Sequence, residues 1–290
     1  MTGLKIALIG STGMLGIDVN STLKEAGFFI QNYNSLNLDI TDKGRVMASL
    51  MKLMPDYIIN CAAYTNVDLA ESEKDKADGV NHAGAKNLAD AAKEINARLI
   101  HISTDYVFDG TKKTPYKEND EVSPINEYGL SKLKGENAIK ESGASYIIIR
   151  TEWLYGKNGK NFVNTILKLA DSKKKIEVVN DQFGSPTYTK DIASALSEII
   201  KKDNGSNEVY HLTNVGTVSW FEFAQEIIKV FKRINCEIMP VSSNKFIRPA
   251  KRPANSVLDC SKIKEHYKIE LRNWKSALRK YCLDIGYFMS

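Results

Sequence analysis

KIALIGSTGMLGID, residues 5–18, decides the fold. An apolar run too short for a signal peptide or a membrane span passes directly into a loop with Gly10, Gly13 and Gly16, and then into a helical pattern. A glycine triplet alone describes any tight turn. Between a buried strand and a helix, missing side chains let the backbone approach a pyrophosphate, while the helix N-terminus faces its negative charge. Ser11, Thr12, Met14 and Leu15 complete the loop, and Asp39, followed by Ile40 in LDITD, lies 23 positions beyond Gly16. The spacing points to a dinucleotide, with Ala62, Ala63 and Tyr64 of NCAAYT giving a slim passage beneath it. The tip of the second strand, Gln31-Asn32-Tyr33-Asn34, carries neither an acid for a free ribose hydroxyl nor an arginine for a 2′-phosphate. The expectation is NADPH, with NADH usable.

Apolar runs and helical patterns alternate outward from this stretch: FFIQNY, GRVMASLMKL, DYIINCAA, HAGAKNLADAAKEI, RLIHIS and SYIIIRT. This order predicts an α/β fold with a Rossmann-type, doubly wound parallel sheet, its strands continuous in apolar character because both faces are buried. Residues 1–152 read as the NAD(P)-binding domain, with the sheet extended by 176–214, and residues 153–290 as mainly a smaller C-terminal substrate-binding lobe. In that lobe Ser219 and Glu222 form a capping box, and the stripe Trp220, Phe223, Ala224, Ile227, Ile228 and Phe231 reads as core.

The 290 residues are 43% hydrophobic and 26% charged, with a net charge of +5 spread along the chain. That balance suits an anionic small ligand and argues against nucleic acid as a partner. Cys61, Cys236, Cys260 and Cys282 lack metal or disulfide spacing, and the four histidines lack ligand spacing. No metal site is expected, and the reading is of a reducing, cytoplasmic location without a membrane anchor.

In EYGLSKLKGE, residues 127–136, Tyr128 stands four residues before Lys132, so a phenol and an ammonium share one helix face. The cation is expected to lower the phenol's pKa toward a useful range for proton transfer.

Taken together, the glycine loop, a Ser-Thr pair ending a buried strand and Y-x-x-x-K on the next helix resemble the extended short-chain dehydrogenase/reductase superfamily. Within it, CAAYTNVDLAES, HISTDYVFDG, SPINEYGLSKLKGE, RTEWLYG, NDQFGSPT and RPANSVLD resemble the dTDP-4-dehydrorhamnose reductases, over a span from the glycine loop to about Lys262. The resemblance implies NAD(P)H-dependent reduction of a dTDP-linked 4-keto-6-deoxy sugar. It implies Tyr128 as proton donor, Lys132 on the nicotinamide ribose and Thr104 on the reacting oxygen. Thr65, Val67, Asp105 and Trp153 would surround the substrate, with Trp153 either a wall of the site or core. Arg252 would meet the diphosphate or lie on the surface. Some relatives dimerise through Mg²⁺ held by acids; Asp18 and Lys190 occupy those positions here, so a homodimer is expected to lack such a bridge. Two alternatives remain open. A 4,6-dehydratase or epimerase shares the superfamily, although Tyr106 replaces the glutamate that elimination needs. A non-catalytic NADP-binding subunit, like the regulatory beta subunit of methionine adenosyltransferase, shares SDYVFDG-like and Y-x-x-x-K segments.

Overall fold

The computed structural model describes residues 3–287; residues 1–2 and 288–290, the outer ends of the two expected domains, lie outside the described residues. Five strands build the first half: β1 (Lys5–Ile9), β2 (Phe29–Tyr33), β3 (Tyr57–Asn60), β4 (Arg98–Thr104) and β5 (Ser145–Thr151). Between them run α1 (Met14–Glu25), α2 (Lys43–Leu53), the short α3 (Val67–Ala70) and α4 (Lys74–Asp78), a π-turn at Gly79–Gly84, α5 (Ala85–Glu94) and α6 (Glu127–Glu141). The later elements are β6 (Leu154–Tyr155), α7 (Phe162–Ala170), β7 (Lys175–Val179), β8 (Phe183–Gly184), β9 (Thr187–Tyr188), α8 (Thr189–Lys202) and β10 (Glu208–His211). They continue with β11 (Val218–Ser219), α9 (Trp220–Val230), β12 (Glu237–Val241), α10 (Ser261–Tyr267) and α11 (Trp274–Asp284).

The main sheet has the order β10-β5-β4-β3-β1-β2, and all its pairings are parallel. Successive side chains alternate across it. Leu8, Ile59, Ile100 and Ile147 meet Leu15, Val19 and Leu196 from α1 and α8. Ala7, Ile58, Leu99 and Ile148 meet Val46, Leu50, Leu88 and Ala92 from α2 and α5 on the opposite face. Each such valine, leucine or isoleucine side chain contributes about 1.5–3 kcal/mol by leaving water.

β7 corrects part of the expected sheet extension. It pairs in parallel with β12 in a separate ribbon, not with the main sheet. In KIEVV, Lys175 and Glu177 are exposed while Ile176 and Val178 are buried, so the strand has one apolar face, and a central parallel strand needs two. That face joins Val163, Ile166, Phe223, Ile227, Phe231 and Tyr281 in a second core enclosed by α7, α9 and α11. The carboxyl ends of β1, β3, β4 and β5 all open toward this second unit, the usual place for a ligand in an open parallel sheet.

Candidate active site

The glycine loop is shaped by a close approach. Gly10 has φ +77°, and a Cβ there would lie 2.6 Å from the Ala62 nitrogen, so only glycine lets the loop pass against the chain after β3. Gly13 caps α1 without any side-chain hydrogen bond, which leaves the first-turn amides available to an anion. The Ser11 amide donates to the Tyr33 carbonyl at 2.9 Å; Thr12 is exposed, Met14 is half-buried near Asn161, and Leu15 turns into the core. Asn81, in the π-turn, clamps Tyr64 from both sides: its Oδ1 accepts from the Tyr64 amide (2.8 Å), and its Nδ2 donates to the Tyr64 carbonyl (3.0 Å). The same Nδ2 reaches the Ser131 hydroxyl at 2.9 Å, fastening the Ala62–Tyr64 segment to α6. Asp39 and Ile40 are engaged elsewhere. The Asp39 carboxylate accepts from the Thr41 amide and hydroxyl (2.9 and 2.8 Å), and Ile40 is buried in the core. A glycine-rich loop before an uncapped helix N-terminus fits the pyrophosphate of a dinucleotide.

α6 begins at Glu127 because the Asn126 side chain accepts from the Gly129 amide at 2.8 Å. A Cβ on Gly129 would fall 2.1 Å from the Tyr106 carbonyl oxygen, so the helix presses directly on the turn that follows β4. This contact sets Tyr128 edge-on to Tyr106, ring centres 5.6 Å apart. Thr104, buried at the end of β4, donates to Asp105 Oδ1 (2.9 Å) and accepts from the Tyr106 amide (3.2 Å). Burial pushes the Tyr128 phenol up to about 12; the Thr104 hydroxyl pulls it down and Asp105 raises it further. Lys132, 1% exposed, donates to the Ile102 carbonyl at 2.6 Å and lies 3.2 Å from His101 Nε2. Burial brings Lys132 down to about 8, against the pull of Glu136 and Cys61. The expected lowering of the phenol by the cation is therefore not what this arrangement gives: burial dominates each group, raising Tyr128 and lowering Lys132. Beneath them Glu136 accepts from Arg150 (2.9 and 2.7 Å) and from the Ser103 hydroxyl (2.6 Å), a buried charge pair that ties α6 to β5 and β4.

Glu152, which sequence reasoning missed, is 2% exposed and faces the same region. Its Oε2 accepts from the Ser256 hydroxyl at 3.0 Å, while its Oε1 and the Asp105 Oδ2 are buried without hydrogen-bond partners. Burial and mutual repulsion raise Glu152 well above the ordinary glutamate value and Asp105 to about 6. A carboxyl inside RTEWLYG has no local feature that distinguishes it from a surface acid; only the fold buries it.

A cavity of about 680 Å³ adjoins Tyr106 and is lined among others by Phe162, Gln182, Trp220, Arg248 and Arg252. Trp220 is thus a correction to the all-core stripe: it is half-buried and faces the cavity. Trp153, with φ +47°, stacks on Trp220 at 3.4 Å between ring centres and backs that wall. Arg252 donates to the Asp68 carboxylate (2.9 Å from its Nη2) and to the Ala250 carbonyl (2.7 Å), so it is neither a free surface residue nor an unoccupied anion site. Val67 opens α3 behind its cap Asn66, and Thr65 is exposed just before it. Of the expected substrate residues, Arg252 lines the cavity, Asp105 joins Thr104, and Thr65 and Val67 stand on the α3 side. Asn161 caps α7, and Tyr188 is buried against Tyr155 with its hydroxyl on Asp284 (2.9 Å).

A doubly wound parallel sheet, a glycine loop at the first helix and a Tyr-Lys pair one helical turn apart at the sheet's carboxyl edge define a Rossmann-type short-chain dehydrogenase/reductase. The chain belongs to the family described as RmlD substrate binding domain, whose model matches residues 4–286. It is 40% identical over 277 residues to the spore coat polysaccharide biosynthesis protein SpsK of Bacillus subtilis, with 96% of each chain covered. It is 36% identical over 285 residues to the dTDP-4-dehydrorhamnose reductase of Sinorhizobium fredii, again with 96% of each covered. A crystal structure of dTDP-4-dehydrorhamnose reductase from Bacillus anthracis in complex with NADP superposes with a TM-score of 0.94 at 37% identity, covering 98% of this chain and 100% of that one.

Proposed function

We infer that the chain is an NAD(P)H-dependent oxidoreductase that reduces the 4-keto group of dTDP-4-dehydro-6-deoxy-L-mannose to give dTDP-L-rhamnose. The observation that carries this reading is the near full-length match to reductases of that name, one of them holding NADP in the same fold. When bound, the reduced nicotinamide supplies the hydride. Gly10 to Gly16 and the start of α1 hold the pyrophosphate, Ala62 to Tyr64 pass beneath the cofactor, and Asp39 and Ile40 bound its adenine side through their backbone. Tyr128 gives its proton to the sugar oxygen as negative charge develops there. Thr104 turns its hydroxyl from Asp105 Oδ1 to the same oxygen, and donors aimed at developing charge are worth on the order of 10²–10³ in rate each. Lys132 meets the nicotinamide ribose. Asp105, Thr65 and Val67 contact the sugar, Trp153 shapes the wall with Trp220, and Arg252 exchanges part of its Asp68 contact for the diphosphate.

The division near residue 152 into a cofactor half and a mainly substrate-binding lobe belongs to the same proposal, and the separate second core supports it. A cytoplasmic setting is supported by four cysteines that are all free; among the described residues no helix is long and apolar enough to cross a membrane. Within the chain Asp18 accepts from Thr189 and Lys190 lies 3.5 Å from Asp284; a protonated Lys190 does not ligate Mg²⁺, so a homodimer would lack that bridge. NADPH oxidation with dTDP-4-dehydro-6-deoxy-L-mannose tests the reading. Turnover of that sugar supports it, whereas tight cofactor binding with no turnover of any 4-keto nucleotide sugar puts the binding-only subunit in its place.

A further inference from the structure

Four polar groups below Tyr128 form one chain. The Ala62 amide donates to Asn60 Oδ1 at 3.0 Å, which leaves Asn60 Nδ2, a donor, 3.0 Å from His101 Nδ1. His101 Nε2 in turn lies 3.2 Å from Lys132 Nζ, which also donates to the Ile102 carbonyl. Asn60, His101 and Lys132 are all within 1% of full burial, so bulk solvent cannot relieve a mismatch among them. An amide nitrogen only donates, so His101 Nδ1 accepts, and the single proton of the neutral ring is on Nε2, facing Lys132.

That donor is satisfied only by a lone pair on Nζ. An ammonium there sets two N–H groups against each other. Reversing the imidazole tautomer moves the conflict to Asn60, and turning the Asn60 amide moves it to the Ala62 amide. Each version leaves one buried donor unpaired, at the cost of its desolvation. We propose that His101, oriented by Asn60, is a positioning residue for Lys132 that favours the uncharged form of its amine. The other groups facing Lys132 are Cys61 after β3, and Glu136 on α6 itself, which is neutralised by Arg150 of β5; Tyr128 lies one turn earlier. Burial acts in the same direction as His101, holding the lysine at about 8 and the imidazole well below its usual value.

The consequence for rate rests on the reductase reading. If the ammonium is the form that holds the ribose and assists Tyr128, activity declines as pH rises through the lysine's pKa, and His101 sets where that decline begins. In His101→Gln a freely turning amide presents its carbonyl to the ammonium, so the alkaline limb of kcat/KM moves up by about one pH unit. A role confined to packing lowers the rate at every pH and leaves the limb in place, which overturns the proposal. Nitrogen-15 NMR of histidine-labelled wild-type protein tests the tautomer without using activity or a variant. The proposal requires a neutral His101 with its proton on Nε2 across about pH 6–9; a proton on Nδ1 or an imidazolium signal contradicts it. A wild type that reduces nothing would remove the reductase reading and leave this NMR test intact.

Discussion

The two sides of Thr104 follow one rule with opposite signs. On the α6 side, burial strips Lys132 of part of its basicity and keeps His101 neutral. On the β5 side, burial lifts Asp105 and Glu152 toward their protonated forms. The cation at Lys132, which the sequence offers as a charge, and the buried acids beside Thr104 both relax toward neutrality once the fold covers them, because desolvation penalises whichever form is charged. The difference lies in what opposes it. Lys132 has a carbonyl and Glu136 drawing it back toward charge, whereas Asp105 and Glu152 each retain a buried oxygen with no donor. The α6 side thus holds its amine at about 8, and the β5 side holds Glu152 toward its protonated form beside an Asp105 at about 6.

Lys132→Met breaks the first side. On the proposed role it removes the ribose contact and the cation together, so turnover is expected to fall by roughly 10²–10³ while cofactor affinity weakens in step. Steady-state kinetics beside a fluorescence titration of NADPH checks both; a loss of rate with unchanged affinity would assign Lys132 to chemistry alone.

Glu152→Gln sharpens the second side. A carboxyl whose folded pKa is raised stabilises the folded state relative to neutral pH only while it remains protonated, and that contribution is lost as pH rises through the folded value. The amide keeps the acceptor for Ser256 and cannot ionise. The variant should therefore match wild type near pH 4, below the unfolded glutamate value of about 4.3, and melt on the order of a few degrees higher near pH 8. Scanning calorimetry at both pH values checks it, and a difference independent of pH would show that Glu152 is not a strained acid.

The first half of this molecule was legible because its signals are local. β4 and β5 are continuous apolar runs, the glycines lie between a strand and a helix, and Tyr128, Lys132 and Thr104 fall within short motifs whose geometry the backbone enforces. What escaped depends on distant pairings. Ser256 meets Glu152, Asp68 meets Arg252, and His101 meets Lys132 only after the chain has folded back on itself. β7 was misplaced although its alternating Lys175 and Glu177 carried the warning, since a period of two denotes a strand with one solvated face. Trp220 shows a limit of helical periodicity: a stripe marks the side that faces other protein, and cannot distinguish core from cavity wall.

The smallest effect concerns the cofactor. The tip of β2 is filled by neutral side chains, with Asn32 donating to Asn20 at 2.9 Å. With neither selecting charge at that tip, NADPH and NADH should bind within about tenfold of each other, or roughly 1.4 kcal/mol. Parallel fluorescence titrations decide this, and a hundredfold preference would reveal a reader of the 2′ position outside the tip.

Tyr128→Phe tests the central claim most directly, because it deletes one proton and leaves the ring against Tyr106. Measured as turnover of dTDP-4-dehydro-6-deoxy-L-mannose alongside NADPH binding, the variant should bind cofactor as wild type does and turn over more slowly by roughly 10²–10⁴. Wild-type turnover in Tyr128→Phe would mean that the proton reaches the sugar from another group.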